Sequence, residues 1–113
     1  MIKKKTSDDR IHEMHAELCK MLSHPTRLKI LEELKNGQKT VSEIVNALEI
    51  NQSTISQHLH ELKKSGLVTS ERDGANVRYD MVYPRIMDAC DIIRDILFDQ
   101  LSKDQELLDE GKR

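Results

Sequence analysis

The chain has 113 residues, a formal net charge of −2, 34% charged residues, 3% aromatic residues and no tryptophan. That length suits one domain with a modest core of Leu, Ile, Val and Met in a mostly helical protein. No apolar run is long enough to span a bilayer, and the opening MIKKKTSDDR lacks the hydrophobic stretch of a secretory signal, so a cytoplasmic protein without a membrane partner is expected.

Ser7-Asp8-Asp9 suits a helix start, and Ile11, Met14, Leu18, Met21 and Leu22 follow at helical spacing, which predicts a first helix over 8–22. Pro25 fits the first turn of a second helix over 25–36, where its missing amide costs nothing. Leu28, Ile30, Leu31 and Leu34 form the apolar face of that helix, and Asn36-Gly37 ends it. Val41, Ile44, Val45 and Leu48 mark a third helix over 41–48, with Thr40 or Ser42 placed to cap it and Glu43 suited to its dipole. Ile55, Leu59 and Leu62 mark a fourth over 52–64, closed by Ser65-Gly66. Only Glu49, Ile50 and Asn51 join these two helices. Glu49 falls where such a turn commonly has glycine at positive φ, at a cost of roughly 1 kcal/mol.

Two β-prone runs, 67–72 and 77–82, flank Asp73-Gly74-Ala75-Asn76, a hairpin signal. Val77, Tyr79 and Met81 alternate with Arg78, Asp80 and Val82, so one face is expected to pack on the helices. Pro84 opens a last helix over 84–101, striped by Ile86, Ala89, Cys90, Ile93, Ile96, Leu97 and Leu101. Segments 1–6 and 104–113 are expected to be flexible. There is no internal repeat and no low-complexity linker.

The segment 40–64 reads as a helix-turn-helix, a unit that fits its second helix into the DNA major groove. Ser53, Thr54, Ser56, Gln57, His60 and Lys64 lie off the buried stripe and are free to face solvent or DNA. A hairpin directly after such a unit is the winged-helix arrangement. The expected fold is therefore mainly α with a small β-hairpin: a single five-helix winged helix-turn-helix domain over 1–113, with the wing over 67–82. The tip from Asp73 to Asn76 would reach a neighbouring groove while Arg72 and Arg78 meet phosphates. Helices this few often complete their burial by pairing with a second copy.

The acidic total favours a competing reading, a winged helix that binds proteins and no nucleic acid. Residues 86–113 hold eight of the twenty carboxylates and four of the eighteen basic groups, however, which leaves the rest of the chain slightly basic. DNA binding needs a local positive surface, not a positive total. No Gly-rich phosphate loop, nucleophile elbow or cleft-forming carboxylate pair occurs, so neither catalysis nor a cofactor is expected.

The chain resembles the ArsR-type transcriptional repressors of bacteria and archaea over roughly residues 15–100. The carriers are Leu22-Ser23-His24-Pro25-Thr26-Arg27-Leu28-Lys29-Ile30-Leu31, then Ser53-Thr54-Ile55-Ser56-Gln57-His58-Leu59, Gly66-Leu67-Val68, and the hairpin from Arg72-Asp73-Gly74 to Val77-Arg78-Tyr79. The resemblance implies a homodimer, joined through the first and last helices, that binds double-stranded DNA. It also implies release when an inducer binds or a thiol is oxidised. Carried over by position, Ser53, Thr54, Ser56, Gln57 and His60 face the major groove. Gln57 suits bidentate contact with adenine. His58 is either a DNA contact or a packed histidine. Thr40, Ser42, Lys63 and Lys64 are placed for phosphates, and Gln52, Arg72, Asn76 and Arg78 complete the candidate set. Lys3-Lys4-Lys5 is either a DNA-touching arm or a solvated tail.

The inducer is not legible. Metal-sensing members of the family carry a Cys-x-Cys in the helix before the reading helix. Here that stretch is Ser42-Glu43-Ile44-Val45-Asn46, and no histidine follows His60 to form the family's other metal site. Cys19 and Cys90 lie on or beside the apolar stripes of the two helices expected to pair. Three readings stay open: inert core residues, a thiol switch at the dimer interface, and soft-metal or metalloid binding. The last rests on His12, His15 and Cys19, which share a helix face.

Overall fold

A computed structural model of the chain describes residues 7–111. The flexible segment expected over 1–6, its lysine arm and the last two residues lie outside the described residues. Eight elements follow in order: α1 (Ser7–Leu22), α2 (Pro25–Lys35), β1 (Lys39–Thr40), α3 (Val41–Leu48), α4 (Gln52–Lys64), β2 (Val68–Asp73), β3 (Asn76–Met81) and α5 (Ile86–Gly111). They divide into two compact units, Met1–Val82 and Tyr83–Arg113.

In the first unit α2, α3 and α4 pack on one another through Ile30, Leu31 and Leu34, Ile44, and Ile55, Leu59 and Leu62, all almost completely buried. Burying each such side chain contributes roughly 1.5–3 kcal/mol. This cluster is what holds α4 in place. Asn36 rather than a further helical residue closes α2, one residue before the expected end, with its backbone N–H donating to the carbonyls of Glu33 and Leu34. At the end of α4, Gly66 takes φ +80° and the Leu67 amide reaches back to the Leu62 carbonyl at 3.0 Å. This left-handed cap turns the chain sharply into β2.

The sheet has three antiparallel strands in the order β1-β3-β2, one more than the expected hairpin. Lys39 and Thr40 pair with Tyr79 and Arg78, so the wing is stitched to the residue that starts α3. A two-residue strand shows no periodicity, and only its partner reveals it. Asp73 pairs with Asn76 around Gly74 and Ala75, and Gly74 takes φ +64° at the first loop position, where a type II′ hairpin turn wants glycine. The alternation along β3 predicts a packed face, but burial is concentrated at the base of the hairpin, in the cross-strand pair Val68 and Met81. The distal half of β2 is exposed, whereas Val77 to Asp80 of β3 are half-buried.

Glu49 closes α3 at φ 56°, ψ 39°, the only non-glycine positive φ among the described residues. Glu49→Gly is expected to raise stability by about 0.5–1 kcal/mol, the left-handed penalty less the extra chain entropy glycine loses. A higher urea midpoint at unchanged slope would register this; a lower midpoint would mean that Glu49 contributes more than a turn.

None of the described residues of α1 is buried, and Ile11 and Met14 are more than half exposed. In the second unit, the amides of Ile86, Met87 and Asp88 donate to the carbonyls of Tyr83, Pro84 and Arg85, a tight turn that leaves Pro84 just ahead of α5. The helix begins at Ile86, two residues after the expected start, and runs past the expected end at 101 to Gly111. Loss of the apolar stripe does not end a helix whose residues favour helix and pair along it. Gln105 Nε2, for example, donates to Asp109 Oδ1 at 3.1 Å. Met87 and Cys90 are buried, whereas Ile93, Ile96, Leu97 and Leu101 are at least half exposed.

Candidate nucleic-acid interface

Local hydrogen bonds set the helix-turn-helix before any ligand arrives. Thr40 Oγ1 accepts from the Glu43 amide at 3.2 Å while Glu43 Oε1 accepts from the Thr40 amide at 3.4 Å, a reciprocal capping box that starts α3. Asn51 caps α4, its Oδ1 accepting from the Thr54 amide at 2.9 Å and the Ser53 hydroxyl at 3.0 Å. Between the two caps, Glu49 supplies the left-handed corner.

α4 carries its core stripe on one side. Ser53, Gln57, His60 and Lys64 fall at intervals of four, three and four on the opposite side, and all are exposed. Gln52 is exposed beside them and Ser56 is half-buried at the edge. This outward stripe contains amide, hydroxyl, imidazole and ammonium groups and no carboxylate. It can donate to phosphates and read the donor–acceptor pattern of base edges. Ser42 is exposed at the start of α3, and Arg72 and Asn76 are exposed on the wing.

Four other candidates have partners within the chain. Thr40 is occupied by the capping box. His58 turns toward α2, where its Nδ1 accepts from Arg27 Nε at 3.1 Å. Lys63 Nζ donates to Ser70 Oγ at 2.6 Å, bracing α4 against β2. Arg78 is shared between Glu43 at 3.6 Å and Asp73 at 3.7 Å. Thr54 is half-buried at the rim of the turn. Arg72 and Arg78 also line a polar cleft of about 230 Å³ with Gln38, Glu71 and Asp73, so the charges of the wing are balanced locally.

Arg27 was not among the sequence candidates for the site. The signal was present: a cation in the first turn of α2, with no acid there, opposes the helix dipole and calls for another partner.

The cysteines belong to different units, both as free thiols, Cys19 exposed and Cys90 buried. Burial pushes the Cys90 thiol up, against the pull of Arg94 and with the help of Asp91. A raised thiol is a poor nucleophile at neutral pH. Among the described residues no group of three or more His, Cys, Asp or Glu could hold a metal ion. His12 Nδ1 already lies 2.6 Å from the Asp8 carbonyl, and seven residues of helix put Cys19 about 10 Å further along the axis.

Helix-turn-helix, capped corner and three-stranded wing together define a winged helix-turn-helix protein. Residues 24–70 match the family model described as bacterial regulatory protein, arsR family. The uncharacterised HTH-type transcriptional regulator Rv0081 of Mycobacterium tuberculosis is 31% identical over 101 residues, which cover 88% of this chain and 89% of the relative. The chain belongs to the arsR family of regulatory proteins. The crystal structure of Rv0081 superposes with a TM-score of 0.72 at 32% identity, covering 82% of this chain and 94% of that one. The solution structure of the homodimeric winged helix-turn-helix DNA-binding domain of Mb0332 from Mycobacterium bovis superposes with a TM-score of 0.73 at 26% identity, covering 88% and 95%. The HTH-type transcriptional repressor SmtB of M. tuberculosis is 44% identical over 63 residues, 56% of this chain, which spans about half of that repressor (47%).

Proposed function

We propose that the protein is a dimeric, sequence-specific DNA-binding transcriptional repressor. The observation that carries this reading is the exposed, carboxylate-free stripe of Ser53, Gln57, His60 and Lys64, held on a rigid capped corner beside the wing. Its likeness to a named repressor and to a homodimeric DNA-binding domain supports the same reading. The unpartnered apolar faces of α1 and α5 are the surfaces on which a second copy docks. Two reading helices then face two half-sites of an inverted repeat, their centres ~34–36 Å apart. Eight of the twenty carboxylates lie on α5, away in sequence from the reading helix. No described helix is long and apolar enough to cross a membrane, and the reading places the protein in the cytoplasm with its DNA.

Gel-shift titration against the region upstream of the chain's own gene tests the reading. Preference over random duplex at moderate salt is expected; equal binding to both, or affinity indifferent to salt, would favour a protein-binding winged helix instead. Gln57→Ala is expected to weaken cognate binding by about 5- to 150-fold, the ~1–3 kcal/mol of a bidentate base contact, and to leave random duplex unaffected. Lys64→Ala should weaken all sequences alike and reduce the salt slope by ~1. Equal losses on cognate and random DNA for Gln57→Ala would remove it from base reading.

A further inference from the structure

Arg27 joins three helices. Its Nη1 donates to the Met21 carbonyl at 3.2 Å and lies against the Met21 thioether, at the end of α1. Its own backbone is in the first turn of α2, and its Nε donates to His58 Nδ1 at 3.1 Å in the middle of α4. Arginine can only donate, so this last bond needs a lone pair on Nδ1. His58 must be neutral, with its proton on Nε2. The ring of His24 stands beside it, centroids 5.6 Å apart and planes tilted by 50°.

The place of this bond on α4 gives it a consequence. His58 follows Gln57 by one residue, about 100° around the helix, on the flank that faces α2. Contacts through Ile55, Leu59 and Leu62 hold the helix down and limit rotation about its axis, but the hydrophobic effect behind them is non-directional. A directional bond on the flank resists rotation well. Lys63 to Ser70 is the matching brace on the wing side. Base reading tolerates only about 10–20° of misorientation.

We propose that Arg27 is a positioning residue for DNA reading: through neutral His58 it sets the rotation of α4 against the end of α1, and protonation of His58 undoes that setting. The inference rests on the DNA-binding reading above. Because α1 is also a docking face for the second copy, the same side chain links the dimer interface to the reading stripe. The charges that act on His58 are those of Arg27 and His24, both from the α2 side. Burial first, then Arg27, then His24 hold its imidazole below the ordinary value of 6.5. The neutral form is therefore favoured in the folded protein, the tie is whole above about pH 6.5, and it is lost as pH falls through the lowered value.

His58→Asn keeps an acceptor near the place of Nδ1 and cannot be protonated; Arg27→Met keeps the stem and removes the donors. Amide exchange along α4 in the free full-length protein, corrected for intrinsic rates, should lose protection between pH 7.5 and 5.5 in the parent and not in His58→Asn. Over the same range, cognate affinity relative to random duplex should fall in the parent and stay nearly flat in His58→Asn. Arg27→Met should show the weakened specificity at both pH values. Unchanged α4 protection, or the same pH slope in parent and His58→Asn, overturns the proposal. Absence of sequence preference already at pH 7.5 overturns the DNA-reading conclusion itself, and the positioning role with it.

Discussion

Leu59→Ala is expected to lower the free energy of unfolding by about 2–5 kcal/mol. Leu59 is wholly buried at the centre of the stripe formed with Ile55 and Leu62, where α4 packs on α2 and α3. Truncation removes the transfer free energy of three carbons and leaves a void that surrounding helices fill only in part. Domains of this size are stable by about 5–15 kcal/mol, so the change removes a large share of the total. The reading stripe is on the same helix, and DNA affinity should fall on warming as α4 loosens. Urea unfolding followed by circular dichroism measures the effect. Gln57→Ala, two residues away on the exposed side, should stay within about 0.5 kcal/mol of the parent, which separates loss of fold from loss of reading. A Leu59→Ala protein destabilised by less than about 1 kcal/mol would show that this core does not hold α4.

Ile93→Asp should convert the proposed dimer into a folded monomer. Ile93 lies on the stripe of α5 that continues through Ile96, Leu97 and Leu101, and it is 57% exposed within one chain. An exposed substitution changes the stability of a single chain by only about 0.5 kcal/mol. Buried in an apolar interface, the same carboxylate is desolvated without a partner, once on each side of the two-fold axis. Separation of the copies also unlinks the two half-site contacts, and loss of that effective concentration should lower operator affinity by about 10²-fold or more. Sedimentation velocity and a gel shift on the same sample test both effects. A dimer that survives Ile93→Asp would exclude this stripe from the interface.

The helices and the wing were legible in the sequence because their causes are local. Spacings of three and four mark the buried sides of α2, α3 and α4, Asp73-Gly74-Ala75-Asn76 marks the hairpin, and Glu49 at a corner too short for anything but a left-handed residue was visible as an irregularity. The outward stripe follows from the same periodicity, since whatever is not core on a helix faces away from it. The polar end of α5 was misread because polarity resembles a loop until the i to i+4 pairing of Gln105 with Asp109 is seen. Strand β1 was missed because two residues have no period.

What tertiary structure alone decided is which of the polar candidates take partners within the chain. Arg27 and His58 are 31 residues apart in sequence, Lys63 and Ser70 seven, and Arg78 bonds to Glu43 across the sheet and helix start. A donor and an acceptor that distant meet only after the helices have packed, so no spacing rule announces them. Local periodicity wrote the elements and the outward side of α4; packing decided that Ser53, Gln57, His60 and Lys64, the proposed reading stripe, face solvent while His58 and Lys63 bond to Arg27 and Ser70, because apolar periodicity is written locally and hydrogen-bond partnership is not.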